Sequence, residues 1–284
     1  MTATAGTLGV TATTGSINDA ADDNTVDFTA GGLITLTAQD EIGVLGSGSD
    51  TDLEFAAGSS VNVSTTGTGA IDLDGLGALT LSDVDTVNGA ITVTSAGALT
   101  VTDVATGNNN AIALTTSSGD ITGLATVNAG SGDVTLNSAG AIADDGSTGT
   151  VVTGGVLTAD AAGAITIDST VASADISTSA AGAVDLDETD GITLTDLDTT
   201  DGAITVDAGG LITATDVVAG GSTGDSVTLS TTTGGAVATL VTGADAVSIT
   251  ADAGDVTVGA LTATAGTLGV TATTGSINDA ADDN

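Results

Sequence analysis

Apolar and polar residues alternate in short bursts along most of this chain, as in Ile71-Asp72-Leu73-Asp74 and Ile91-Thr92-Val93-Thr94. A period of two, with β-branched residues at the apolar positions, predicts strands with one face buried and the other wet. The bursts are four to five residues long and end at Gly, Asn or Asp, with Asn88-Gly89 and Asp201-Gly202 marking turns. They also recur on a beat. Ile71, Ile91, Ile112 and Val134 open one series, and Val184, Ile204, Val227, Val247 and Leu268 another. Neighbours within each series are about 20–23 residues apart, a spacing in the range of solenoid repeats. A second stretch follows each by half a turn, at Leu79, Leu99, Ile121 and Ile142, then at Ile192, Ile212, Val237, Val256 and Ile277. Between Ala143 and Ala183 the beat blurs and no register can be assigned.

Asn-Gly and Asp-Gly ordinarily signal hairpins. A fixed beat with two or three strands per period fits a coil better, each strand pairing in parallel with its counterpart one turn later. The expected fold is therefore all-β: a parallel β-helix of about 20–22 residues per rung and roughly 13 rungs, a single solenoid segment over residues 1–284. Ile, Val, Leu and Ala would stack inside a narrow prism, while Gly and Asn would supply corners of positive φ. Pro would be excluded because nearly every strand N–H joins a ladder.

Longer periods lie over the short one. "LTLSDVDTVNGAITVTSAGALTVTDVATG" (Leu79 to Gly107) matches "ITLTDLDTTDGAITVDAGGLITATDVVAG" (Ile192 to Gly220) at most positions. The whole stretch from Thr2 to Asn24 returns unchanged as Thr262 to Asn284, an offset of 260. Either the chain is a window slightly longer than one period of an array, or it is a subunit whose ends imitate each other so that copies stack. At ~4.8 Å per parallel strand, one such period would rise roughly 60 Å. Met1, the one residue ahead of the copied segment, reads as a start added to an excised fragment.

Composition narrows the function. The 284 residues include no Lys, Arg, His, Cys, Pro, Trp or Tyr, and 37 acids give a formal charge of −37. Carboxylates must then be satisfied by water, backbone N–H or a cation. Nucleic acid is excluded as a partner, since phosphate binding rests on Lys and Arg, and an anionic membrane surface is disfavoured likewise. No apolar run approaches ~18 residues, so no membrane insertion is expected, and no basic stretch precedes an apolar one as in a signal peptide. Disorder is countered by a hydrophobic content of 40% in a regular pattern. Without His, Cys, Lys, Arg or Tyr there is no triad, Schiff base or zinc site to assemble, and no enzyme is expected.

"GAITVTSAGALTVTDV" and "GITLTDLDTTDGAITVDAGG" resemble the β-helical repeats of filamentous-haemagglutinin-type exoproteins and of giant β-strand-repeat bacterial surface proteins. That resemblance, which covers nearly the whole chain, implies a right-handed β-helix in a secreted or surface-attached fibre or adhesin. The family's amino-terminal secretion domain carries an Asn-Pro motif that this Pro-free chain lacks. The expected role is a rigid acidic spacer in an extracellular filament or adhesin stalk. Its expected partners are copies of itself end to end, with lateral bundling, glycans or cell surfaces as further contacts.

The outward positions supply the candidate chemistry. Asp83 and Asp103, like Asp196 and Asp216, sit one beat apart in Ser/Thr-Asp-Val/Leu contexts, with Asp85 and Asp198 close by. One rung apart, such carboxylates would lie within ~5 Å and repel unless compensated. Asp capping its own turn is one compensation; calcium, which takes several oxygen ligands, is another. Asp50, Asp52 and Glu54, then Asp185 and Asp187 beside Asp207, and the run "NDAADDN" (Asn18 to Asn24) are further calcium candidates. No cofactor is required; calcium is the one the residues would take. "GGSTGDSV" (Gly220 to Val227) loosely echoes a calcium-binding nonapeptide. Thr80 and Ser82, Thr100 and Thr102, then Thr193 and Thr195, Thr213 and Thr215, form Thr-X-Thr ladders like an ice-binding face, although Thr also simply suits an exposed strand.

Overall fold

A computed structural model describes residues 1–19, 24–43, 52–222 and 224–280. It is all-β with no helix among the described residues, and its strands pair in parallel as a β-solenoid. Contacts divide it into two compact units, the first Met1–Ser147 with Thr153–Gly155, the second Thr148–Val152 with Val156–Asn284.

In the first unit the ladder Ile71↔Ile91↔Ile112↔Val134 forms as the alternation predicts. All four side chains are fully buried, each resting on its counterpart one turn away. Burying such a side chain contributes about 1.5–3 kcal/mol, so the stack is a principal source of stability. The half-turn series Leu79↔Leu99↔Ile121↔Ile142 forms beside it. The steps preceding it are longer. Leu8 pairs with Ile34 and Ile34 with Val61, and both steps exceed the regular beat. Counted along this column, the first unit makes six turns.

In the second unit Val184↔Ile204↔Val227↔Val247↔Leu268 is the observed register. Ile165 pairs with Val184, which fixes the beat inside the stretch where the sequence left it open. This column makes five turns, so the two columns make eleven turns, close to the roughly 13 rungs expected. One expected position is shifted. Ile212 faces Ala236, not Val237, which sits opposite Thr213 on the outer face. The larger aliphatic drew the sequence reading, but the ladder places the small Ala inward.

The turns use two devices. At the Asn-Gly and Asp-Gly turns, Gly89 and Gly202 are needed for close approach. A Cβ there would fall 2.2 Å from the carbonyl oxygens of Gly69 and Gly182, one rung away. Positive φ is confined to other positions, among them Asn108 and Asn109. The second device is an inward hydroxyl at a strand end. Thr65, Thr86, Thr116, Ser138 and Thr231, all buried, donate to the carbonyls of Gly69, Gly89, Gly119, Ala141 and Gly234 at 2.6–3.0 Å. Each closes a turn just beyond its own strand with a side-chain donor to a turn carbonyl, and the Ala141 carbonyl also accepts the Ile121 N–H.

Candidate functional site

The outer face carries acids and hydroxyls in alternation. Asp72 faces Thr92 and Asp74 faces Thr94 across one rung, and the Thr94 hydroxyl donates to Asp74 Oδ1 at 2.8 Å. Burial pushes the Asp72 carboxyl up to about 7, helped by the charges of Asp52 and Asp74. The threonine ladders are short. Thr80 faces Thr100, and Thr100 faces Thr122, whereas Thr213 passes to Val237 and the Thr195 hydroxyl turns to the Ala174 carbonyl. Ser82 is engaged by the Ser60 hydroxyl at 2.8 Å.

Four acidic groupings emerge from the register. Around Asp83, the β-bulge after Val61 sets Asn62 opposite Asp83, and the Asn62 amide donates to Asp83 Oδ2 at 2.8 Å. Compensation here therefore comes from an amide on the neighbouring rung. Desolvation, then the charges of Asp83 and Asp103, raises Asp85 to about 6. Asp103 is raised by burial and by Asp83, so the expected neighbourhood of these three is real.

Asp196 and Asp216 also meet as expected, joined by Asp198 and by Asp175, which pairs with Asp196. Burial raises both Asp196 and Asp198; the charges of Asp175 and Asp216 reinforce the first, and those of Asp196, Asp216 and Asp175 the second. Asp216 Oδ1 is buried without a hydrogen-bond partner among the described residues.

Asp187 lies between Asp168 and Asp207 on successive rungs, while Asp185 lies between Thr166 and Thr205. Asp168 and Asp187 line a shallow cavity of about 300 Å³ with Thr148, Gly149, Thr150 and Thr189. Glu188, also in its lining, is buried but fully served: Ser169 Oγ, Val171 N–H and Asp190 N–H all donate to its carboxylate.

The fourth grouping gathers segments distant in sequence. Asp27 N–H and Phe28 N–H both donate to the Glu54 carbonyl, at 2.9 and 3.1 Å, and Glu54 N–H donates to Asp27 Oδ2 at 3.2 Å. The chain's only aromatic rings, Phe28 and Phe55, stack beside this crossing with centroids 5.5 Å apart. Asp19 completes a triad: one carboxylate oxygen each from Asp19, Asp27 and Glu54 lie within 4.8 Å of one another. Glu54 is 0% exposed, and with both carboxyls ionised neither of its carboxylate oxygens has a donor among the described residues. Its pKa is pushed up to about 8, first by burial, then by a hydrogen bond to Asp27 that needs a proton on one of the two. The charges of Asp27, Asp52 and Asp19 add to this. Asp52 is itself raised by burial and by its acidic neighbours.

No family model, no curated protein and no solved structure matches this chain.

The candidates thus divide. Glu54 and Asp52 from the alternating acids meet Asp19 from "NDAADDN"; Asp50, and residues 20–23 of that run, lie outside the described residues. In the nonapeptide echo, Asp225 accepts Ser222 N–H at 2.6 Å within its own turn. Asp27 and Asp175 were missed because each is a lone acid in its stretch, recognisable only once strand register is known.

Proposed function

We propose that this chain is a structural segment of an extracellular bacterial filament or adhesin stalk: a rigid, acidic spacer extended end to end with further copies of its own repeat. The observation that carries this is how the copied segment is paired at its two positions. Leu8–Ala12 and Leu268–Ala272 share one sequence, LGVTA. The first is paired with the strand that follows it, Ile34–Ala38, and the second with the strand that precedes it, Val247–Ala251. Half a turn on, Ile17 bridges to Ile42, and its counterpart Ile277 pairs with Val256. The two half-paired environments combine into one fully paired rung with a ladder on each side. At the second position Leu268 and Ile277 remain 52% and 53% exposed, an apolar edge of the kind that a further rung covers. The composition, with no basic, thiol or imidazole group, favours a mechanical role over a catalytic one.

Self-association tests this. Concentrated protein in calcium-containing buffer is expected to form linear assemblies by light scattering and electron microscopy, and Leu268→Asp is expected to abolish them. Dispersed wild-type monomers under those conditions would overturn the proposal.

A further inference from the structure

We propose that Asp19, Asp27 and Glu54 form a binding site for a hard divalent cation, with calcium the preferred ion. It rests on different observations from the filament proposal and stands or falls separately. The described residues include two buried glutamates, and they are treated in opposite ways. Glu188 receives three donors from its surroundings. Glu54, also buried, receives none among the described residues, where Asp19 and Asp27 face it. A buried carboxylate without a donor costs several kcal/mol unless a proton or a cation compensates.

The geometry favours a cation. Two oxygens bound to one calcium at ~2.4 Å lie at most ~4.8 Å apart, and the three acids meet that limit mutually. An all-oxygen set carrying three negative charges suits a hard ion and offers none of the nitrogen or sulfur ligands that draw zinc or copper. Calcium tolerates irregular oxygen sets, whereas magnesium demands a near-ideal octahedron and keeps its waters. Backbone pinning between Asp27 and Glu54 holds two of the ligands in place before any ion arrives. Asp52 adds negative potential beside them. The competing compensation is a single proton shared between Glu54 and Asp27. The ion displaces that proton, so binding releases it and tightens as pH rises.

The test is calcium titration into the chelated full chain at pH 7.5, followed by calorimetry in two buffers of different ionisation enthalpy and by thermal unfolding. Wild type is expected to show one site tighter than the general acidic background, to release close to one proton, and to rise in Tm with calcium. Glu54→Gln is expected to bind at that site at least tenfold more weakly and to start from a higher Tm in chelator. Asp19→Asn, which leaves the buried crossing intact, is expected to weaken binding in the same direction. Asp207→Asn, in the second compact unit, is expected to leave the tight site unchanged. Wild-type calcium affinity retained in both Glu54→Gln and Asp19→Asn would overturn the proposal. So would a wild-type Tm unmoved up to ~10 mM calcium, because a ligand of the native state must raise stability; that second outcome assigns the site to the proton.

Discussion

Replacing Glu54 by Gln removes a buried charge while keeping the shape, and it supplies an amide that donates to Asp27. In chelator the effect depends on pH with a definite sign. The carboxyl titrates at about 8 in the folded protein against 4.5 for the free side chain. Because the folded value is raised, its favourable contribution is complete below about 4.5 and is lost as pH climbs through about 8. At about 1.36 kcal/mol per pH unit the full displacement is worth about 5 kcal/mol, and sharing of the proton with Asp27 trims this to about 3–5 kcal/mol. Glu54→Gln should therefore match wild type in urea unfolding at pH 4.5 and exceed it by about 3–5 kcal/mol at pH 8.5. Asp19, Asp27 and Asp52 remain in both proteins, so the difference isolates Glu54. Saturating calcium should shrink the gap by stabilising wild type alone. Equal stability at every pH, or a Gln variant weaker at pH 8.5, would refute the assignment of Glu54 as a buried, uncompensated acid.

Other perturbations address the scaffold. Ile112→Ala opens a hole between Ile91 and Val134 and should cost about 2–5 kcal/mol in urea unfolding, while Thr115→Ala on the outer face of the same strand should stay within about 0.5 kcal/mol. Thr86→Val keeps the shape but strands the Gly89 carbonyl, so a loss of about 1–3 kcal/mol is expected, and Thr86→Ser should recover most of it. Gly89→Ala forces a Cβ to within 2.2 Å of the Gly69 carbonyl oxygen and should lower Tm clearly, whereas Gly149→Ala, which meets nothing within 4 Å, should not.

Strand positions were readable because a buried column demands an aliphatic residue once per turn, and Ile91, Ile112 and Val134 announce that demand directly. Where the inward residue is small, the signal fades: Ala236 holds the column while Val237 beside it points outward. The stretch Ile165–Ala181 is one long strand that serves two columns, so no turn residue marks the passage between them. The turn-closing hydroxyls of Thr86 and Thr116 were illegible because Thr on a strand is ordinarily read as an outward residue. The acidic sites split along the same line. Asp83 and Asp103 could be paired from their spacing, but the donor that relieves Asp83 is Asn62, displaced by a bulge that no periodicity reveals. Asp19, Asp27 and Glu54 converge through the two longest turns, where the regular beat does not apply.

The central claim is that each strand lies directly on its counterpart one turn away, in parallel and in register. The chain has no cysteine, so a pair can be introduced cleanly. Thr94 and Thr115 are register partners on adjacent rungs, at the ~4.8 Å spacing a disulfide can span, whereas Thr94 and Asn137 are two rungs apart. Under mild oxidation, Thr94→Cys with Thr115→Cys should close an intramolecular disulfide, read by mass spectrometry of the proteolysed chain, while Thr94→Cys with Asn137→Cys should remain reduced. Closure of the second pair in preference to the first, or of neither, would contradict the solenoid register.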